Sequence, residues 1–120
     1  MKNLKEAYKT LKEIFPEAID VGSENIEQPG LYLLLNSLKK ESIGIDRVSF
    51  KLYLAARSLN DDNLGLIDKL DEIRLRAVKQ VKNLKDDLSQ SLEFLGFKDS
   101  LYIYVFEIDF KIFRSEKNDK

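Results

Sequence analysis

The sequence contains no histidine and no cysteine. Without imidazole there is no side chain whose ordinary pKa lies near neutrality, so the commonest general base is excluded. Without thiols there are no disulfides, thiolate nucleophiles, zinc fingers or haem ligands of the Cys or His type. Glycine is scarce and scattered: its five copies, at 22, 30, 44, 65 and 96, stand singly, so neither a phosphate-binding loop nor a dinucleotide fingerprint can be written. The serines have no histidine to activate them, which argues against nucleophilic hydrolysis. Charge of one sign is missing too. Twenty basic residues face twenty-one acidic ones, with a net charge of -1 and the signs interspersed. Neither nucleic acid nor an anionic membrane is therefore an expected partner. The densest apolar stretches, Leu31–Leu35 and Leu101–Phe106, fall far short of the ~20 residues of a membrane helix. The charged opening Met1-Lys2-Asn3-Leu4-Lys5-Glu6 carries no apolar secretion signal, which points to a cytoplasmic location.

What is present suits one small domain over residues 1–120: 43% hydrophobic and 34% charged side chains in 120 residues build a core and a soluble surface. Leu4, Ala7, Tyr8, Leu11, Ile14 and Phe15 recur at steps of three and four, predicting an N-terminal amphipathic helix ended by Pro16. Pro16 to Gly30 holds both prolines and reads as a loop with a short extended piece at Ile19–Val21. Leu31–Leu38 reads as a strand covered on both faces, although its leucines leave a helix possible. The polar Lys39–Asp46 stretch with Gly44 suits a hairpin connection into Val48–Arg57, where apolar and polar residues alternate. Asn60-Asp61-Asp62-Asn63 offers N-caps for a second helix. Its stripe Leu66, Leu70, Ile73, Ala77, Val81, Leu84 and Leu88 predicts about 25 residues, a rod of roughly 37 Å. Residues 92–97 read as a short strand, with a helix capped by Gly96 as the rival. Lys98-Asp99-Ser100 then turns into a final strand, Leu101–Phe113, and residues 114–120 form a frayed tail. The expected fold is α+β: an antiparallel sheet of three to four strands against the N-terminal helix and a long central helix.

Candidate chemistry is thin. Asp61-Asp62, Asp68-Asp71-Glu72, Asp86-Asp87 and Glu107/Asp109 lack calcium-loop spacing and read as solvated faces or helix-terminal charges. Glu107 and Asp109 share a strand face, as a paired acid and base would, but Lys111 and Arg114 beside them suggest a surface charge ladder. Arg74, Arg76, Lys79, Lys82 and Lys85 on the long helix are diluted by acids. No catalytic, cofactor or metal residue is assigned, no enzyme activity is expected, and no cofactor or small-molecule substrate is implied.

Association is the remaining reading. Tyr102, Tyr104, Phe106, Ile108, Phe110 and Ile112 give the last strand a wholly apolar even face, while its odd face is apolar at Leu101, Ile103 and Val105 and charged beyond. With Leu31, Leu33, Leu35 and Tyr53, these odd residues exceed what two helices can cover, and they are the expected homo-oligomer interface. The alternative is that the Pro16–Gly30 loop or the overhanging helix folds across them.

The order helix, loop, strand hairpin, long helix and final hairpin, with Gly30-Leu-Tyr-Leu-Leu-Leu, Arg47-Val-Ser-Phe-Lys-Leu-Tyr-Leu-Ala-Ala-Arg, the helix from Asn63 and Ser100-Leu-Tyr-Ile-Tyr-Val-Phe-Glu-Ile-Asp-Phe-Lys-Ile, resembles phage tail-terminator and neck proteins, including those of Mu-like prophages. The resemblance implies a ring-forming, often hexameric, subunit that docks on a tail-tube or neck protein and stops tube growth. It would then occur in the bacterial cytoplasm and in the virion. Lys39, Lys40 and Glu41, on a loop, would reach the adjoining tube protein. The length of the central helix and the high lysine content depart from the family. A small bacterial adaptor or immunity-type protein, binding one partner through the charged long helix, is the alternative.

Overall fold

The computed structural model describes residues 2–21, 26–57, 63–83, 87–88, 91–98 and 100–114. The proposed caps at 60–62, residues 22–25 of the Pro16–Gly30 loop and the tail beyond Arg114 lie outside these residues. In chain order the elements are α1 (Leu4–Ile14), β1 (Ile19–Asp20), β2 (Gly30–Ser42), β3 (Ile45–Ala56), α2 (Asn63–Asn83), β4 (Asp87–Leu88), β5 (Glu93–Lys98) and β6 (Leu101–Phe113).

Helix α1 begins where Asn3 Oδ1 accepts the Glu6 backbone N–H at 2.8 Å, satisfying one of the donors that a helix start leaves open. It ends at Phe15, whose N–H still reaches the Leu11 carbonyl, because Pro16 has no N–H to continue the ladder. The Ala7, Leu11 and Phe15 side of α1 is buried against the sheet.

The sheet has six strands in the order β1, β2, β3, β6, with both β4 and β5 pairing the outer side of β6. It is mixed: β1 runs parallel to β2, through Ile19 opposite Tyr32 and Asp20 opposite Leu33, while all other pairs are antiparallel. Strands β2 and β3 join through a two-residue turn, Ile43-Gly44, in which Gly44 takes φ +76°, open to glycine at little cost. The Arg114 N–H donates to the Gly44 carbonyl and closes β6 onto that turn.

The expected antiparallel sheet of three to four strands against a long central helix is thus corrected in three respects. The sheet is larger and mixed. Among the described residues the second helix is shorter than expected: α2 spans Asn63–Asn83, and Leu88, assigned to its stripe, pairs with Ile108 in β4. The polar Lys39–Ser42 stretch is strand rather than connection, with bulges at Asn36 and Glu41 that shift its register against β3. The α+β class itself holds.

One sheet face carries the main core, in which Leu33, Val48, Phe50, Phe106, Ile108 and Phe110 meet Leu11 and Phe15 of α1 and Ile73 and Ala77 of α2. Phe50 and Phe110 pack edge to face at 6.3 Å. Arg76 of α2 lies 5.1 Å above the Phe15 ring and donates to the Ile14 carbonyl, Glu17 and Glu72, pinning the two helices together.

Candidate functional site

The opposite face divides at mid-strand. Toward one end, Tyr32, Tyr53, Ala55, Leu101 and Ile103 form a second cluster closed by Ile26, with Val21, Leu34 and Val105 at its border. The Tyr32 hydroxyl donates to the Gln28 carbonyl at 2.7 Å, fixing the loop that delivers Ile26. This overturns most of the interface expected from sequence. Leu31 and Leu33 belong to the helix-side core, Tyr53, Leu101 and Ile103 are buried within the protomer, and Val105 is half-buried. Of the seven residues only Leu35, 47% exposed, offers much surface. Ile26, on the described part of the Pro16–Gly30 loop, supplies the cover, as the alternative requires.

Toward the other end the same face is polar, around a hollow of about 230 Å³ lined by Asn36, Lys39, Arg47, Ser49, Glu107 and Asp109. Glu107 accepts from Asn36 Nδ2 and Ser49 Oγ, and Asp109 from Arg47, which also donates to Glu41 Oε1 at 2.8 Å. Lys111 pairs with Glu41 from the other side. The Arg47 guanidinium holds the Glu41 carboxyl below its ordinary value, with Lys111 adding to the effect. Carboxylates braced in this way form a cross-strand ladder, not an acid and base aimed at a shared point. No group of three residues that could hold a metal ion occurs among the described residues. Arg114 is engaged elsewhere, with Asp46. Lys39, Lys40 and Glu41, expected on a partner-reaching loop, stand on β2 instead, and Glu41 belongs to the ladder.

The charged-helix surface is reduced as well, since Arg76 is spent on α1 and Glu17. No helix among the described residues is long and apolar enough to cross a membrane.

Exposed apolar side chains stand singly on α2 (Ile67, Leu75), in the β2–β3 turn (Ile43) and at the end of β6 (Phe113), and in groups at two margins of the sheet, on its helix side. At the β1–β2 margin, α1 stands off the sheet and leaves a cleft of about 470 Å³, lined by Leu4, Tyr8, Val21, Leu33, Leu35 and Phe50, with Lys5 and Asp20 beside it. The Tyr8 hydroxyl donates to Asp20, and this bond raises the phenol pKa. Leu38 extends this margin as an exposed apolar side chain. At the opposite margin, β5 pairs Phe94 with Tyr104 and Phe97 with Tyr102 across β6, and residues facing each other on paired strands share a face. The rings cluster at centroid distances of 5.3 Å and 4.6 Å. Phe94, Leu95 and Phe97 are each more than half exposed. The strand read at 92–97, in preference to a helix capped by Gly96, is present as β5, but these side chains are not singled out by the sequence reading; the signal is Phe-Leu-Gly-Phe between Glu93 and Lys98, apolar residues too numerous for a short outermost strand.

The sequence matches no protein-family model and no curated protein.

Proposed function

We propose that this chain is a non-enzymatic assembly subunit of the tail-terminator and neck kind, in which copies join head to tail into a ring that caps a tail tube. The observation that carries this reading is the placement of unpartnered apolar surface at opposite margins of one sheet. An outermost strand bearing Phe94, Leu95 and Phe97 is a surface that solitary proteins avoid, and it stands across the sheet from the apolar cleft beside β2. Two different patches on opposite sides of a subunit favour heterologous contacts, which close into rings or run on into filaments, over the isologous contact of a two-fold dimer. The contact surface is therefore moved from the strand face that the sequence indicated to the sheet margins.

Sedimentation velocity over a range reaching about 100 micromolar tests the reading, because self-association is driven by mass action. A concentration-dependent shift to a species larger than a dimer is expected. A single monomeric boundary throughout would overturn it.

A further inference from the structure

Strand β5 is self-complementary. It runs Glu-Phe-Leu-Gly-Phe-Lys, so a second copy laid antiparallel beside it with Glu93 opposite Lys98 also sets Phe94 opposite Phe97 and Leu95 opposite Gly96. Residues that face each other across antiparallel strands share one face of the sheet, and a bulge makes this register obey that rule. Glu93 and Lys98 would fall on opposite faces of a regular strand. The extra residue at Leu95 turns both to the face of their β6 neighbours Val105 and Leu101, while Phe94 and Phe97, opposite Tyr104 and Tyr102, share the helix side. The bulge itself falls at the two-fold axis, where both strands carry it at the same level and the pairing on either side keeps its register. Among the described residues no atom lies within 4 Å of where a Gly96 β-carbon would stand, which leaves room for Leu95 of the other copy. Glu93 Oε2 accepts from Ser91 Oγ at 2.9 Å, a neutral donor that leaves the carboxylate its charge.

Among the described residues β5 pairs only with β6, along one of its two backbone edges. We infer that the other edge joins β5 of a second copy of this chain, continuing one sheet into the next across a two-fold axis and making the Glu93–Lys98 pair twice. The stretch of β2 beyond β1 carries Lys39, Lys40 and Glu41, charges of the kind that guard a sheet edge; β5 has none between its ends. The contact is isologous and goes beyond the head-to-tail reading without resting on it. It lines up the four phenylalanines of the two copies on the helix side, so the apolar surface used in that reading is enlarged, not covered. Closed rings that also pair across two-folds are dihedral assemblies.

The absence of native cysteine makes disulfide trapping clean. Facing residues on antiparallel strands have α-carbons about 4.5–5.5 Å apart, within disulfide reach. Glu93→Cys and Lys98→Cys change exposed positions, so both variants should fold. Mixed and oxidised, they are expected to give a covalent dimer, while either alone gives none. One chain carrying both changes is expected to stop at a covalent dimer, because a two-fold contact closes on itself; a ladder of higher oligomers would mean head-to-tail use of β5 and overturn the inference. In sedimentation, Lys98→Glu is expected to weaken association about tenfold by setting like charges opposite each other twice, and adding Glu93→Lys to restore it. Failure of the second change to restore association overturns the inference. So does a wild-type chain that associates while the mixed variants stay uncrosslinked, an outcome that leaves the assembly reading standing. A trapped dimer whose wild-type parent never grows beyond two subunits supports the inference and removes the ring. A wild-type chain that is monomeric throughout removes both.

Discussion

The second face of the sheet contains two regions built on the same strands that resolve the same problem in opposite ways. At one end Tyr53, Leu101 and Ile103 are sealed under Ile26, a single side chain from a loop. At the other end Glu107 accepts from Asn36 and Ser49, and Asp109 from Arg47, with Ser49 itself buried. The split follows the alternation of β6, whose odd residues are apolar from Leu101 to Val105 and charged from Glu107 to Lys111. A strand face therefore need not be wholly core or wholly surface; it changes where its cover ends. Apolar pleat alone does not imply a partner. Only pleat left after the loops are placed does so, and here that remainder includes Phe94, Leu95 and Phe97 at one margin and Leu35 and Leu38 at the other, besides Ile19 and Phe113.

The sharpest test of the contrast is to remove one large side chain from the sealed end. Tyr53 is 1% exposed in the sheet centre, between Tyr32 and Val105. Tyr53→Ala should cost about 3–5 kcal/mol, read as a lower urea midpoint with an unchanged slope, since a central sheet position cannot collapse to fill the void. A loss below about 1 kcal/mol would mean that the cluster is not core. Next comes the cover itself. Ile26→Ala should cost about 2 kcal/mol, the low end for such a truncation, because a loop can relax. Ile26→Asp should in addition uncover the Tyr53–Leu101 surface, seen as increased binding of a hydrophobic dye at a temperature where the chain is still folded.

That cover separates what is legible in the sequence from what is not. The alternation of Val48–Arg57 and Tyr102–Ile112 announces β3 and β6, because a half-buried strand is the natural source of a period of two sustained over ten residues, and the three-and-four spacing of Leu4 to Phe15 announces α1. Ile26 announces nothing: one isoleucine between glycines and prolines has no periodicity, and its role is set by which face the loop crosses. The end of α2 is hidden for the opposite reason. Leu84 and Leu88 continue the helical spacing, yet the chain is back in the sheet by Asp87, so the pairing available on the outer side of β6 outweighs local spacing. Lys39, Lys40 and Glu41 resemble a loop because they are charged, although charge is what an open strand edge carries. The candidate contact surface is legible in composition, as surplus apolar strand, but not in location.

At the charged end the effects should be small. Arg47→Ala removes the donor shared by Glu41 and Asp109 and should cost about 1 kcal/mol or less, because partly exposed pairs gain little over their hydrated forms. The difference from wild type should shrink further in about 1 M salt, where the screening length falls to ~3 Å. An Arg47→Ala loss as large as that of Tyr53→Ala would erase the contrast between the two ends.

The smallest expected effect is in pH dependence, and it separates the ends by curve shape. In the folded chain Arg47 holds Glu41 below its ordinary value of 4.5, and Glu72 is lowered in the same way by Arg76 and Lys69. A carboxyl with a depressed folded pKa binds protons more weakly in the folded state than in the unfolded one. Its contribution is therefore complete above about pH 4.5 and is lost as pH falls through the lowered value. Tyr8 works at the other extreme: its phenol is raised above 10.0 by Asp20, so its contribution is complete below that value and lost as pH rises through the folded one. Glu41→Gln should accordingly flatten the acid limb of a melting-temperature profile below pH 4.5 and leave the alkaline limb unchanged. Leu101→Ala, at the sealed end, removes no titrating group and should lower the whole profile while keeping its shape. If Glu41→Gln instead shifts the profile uniformly, Glu41 acts there through packing, and the charged end stabilises the fold in the same way as the sealed one.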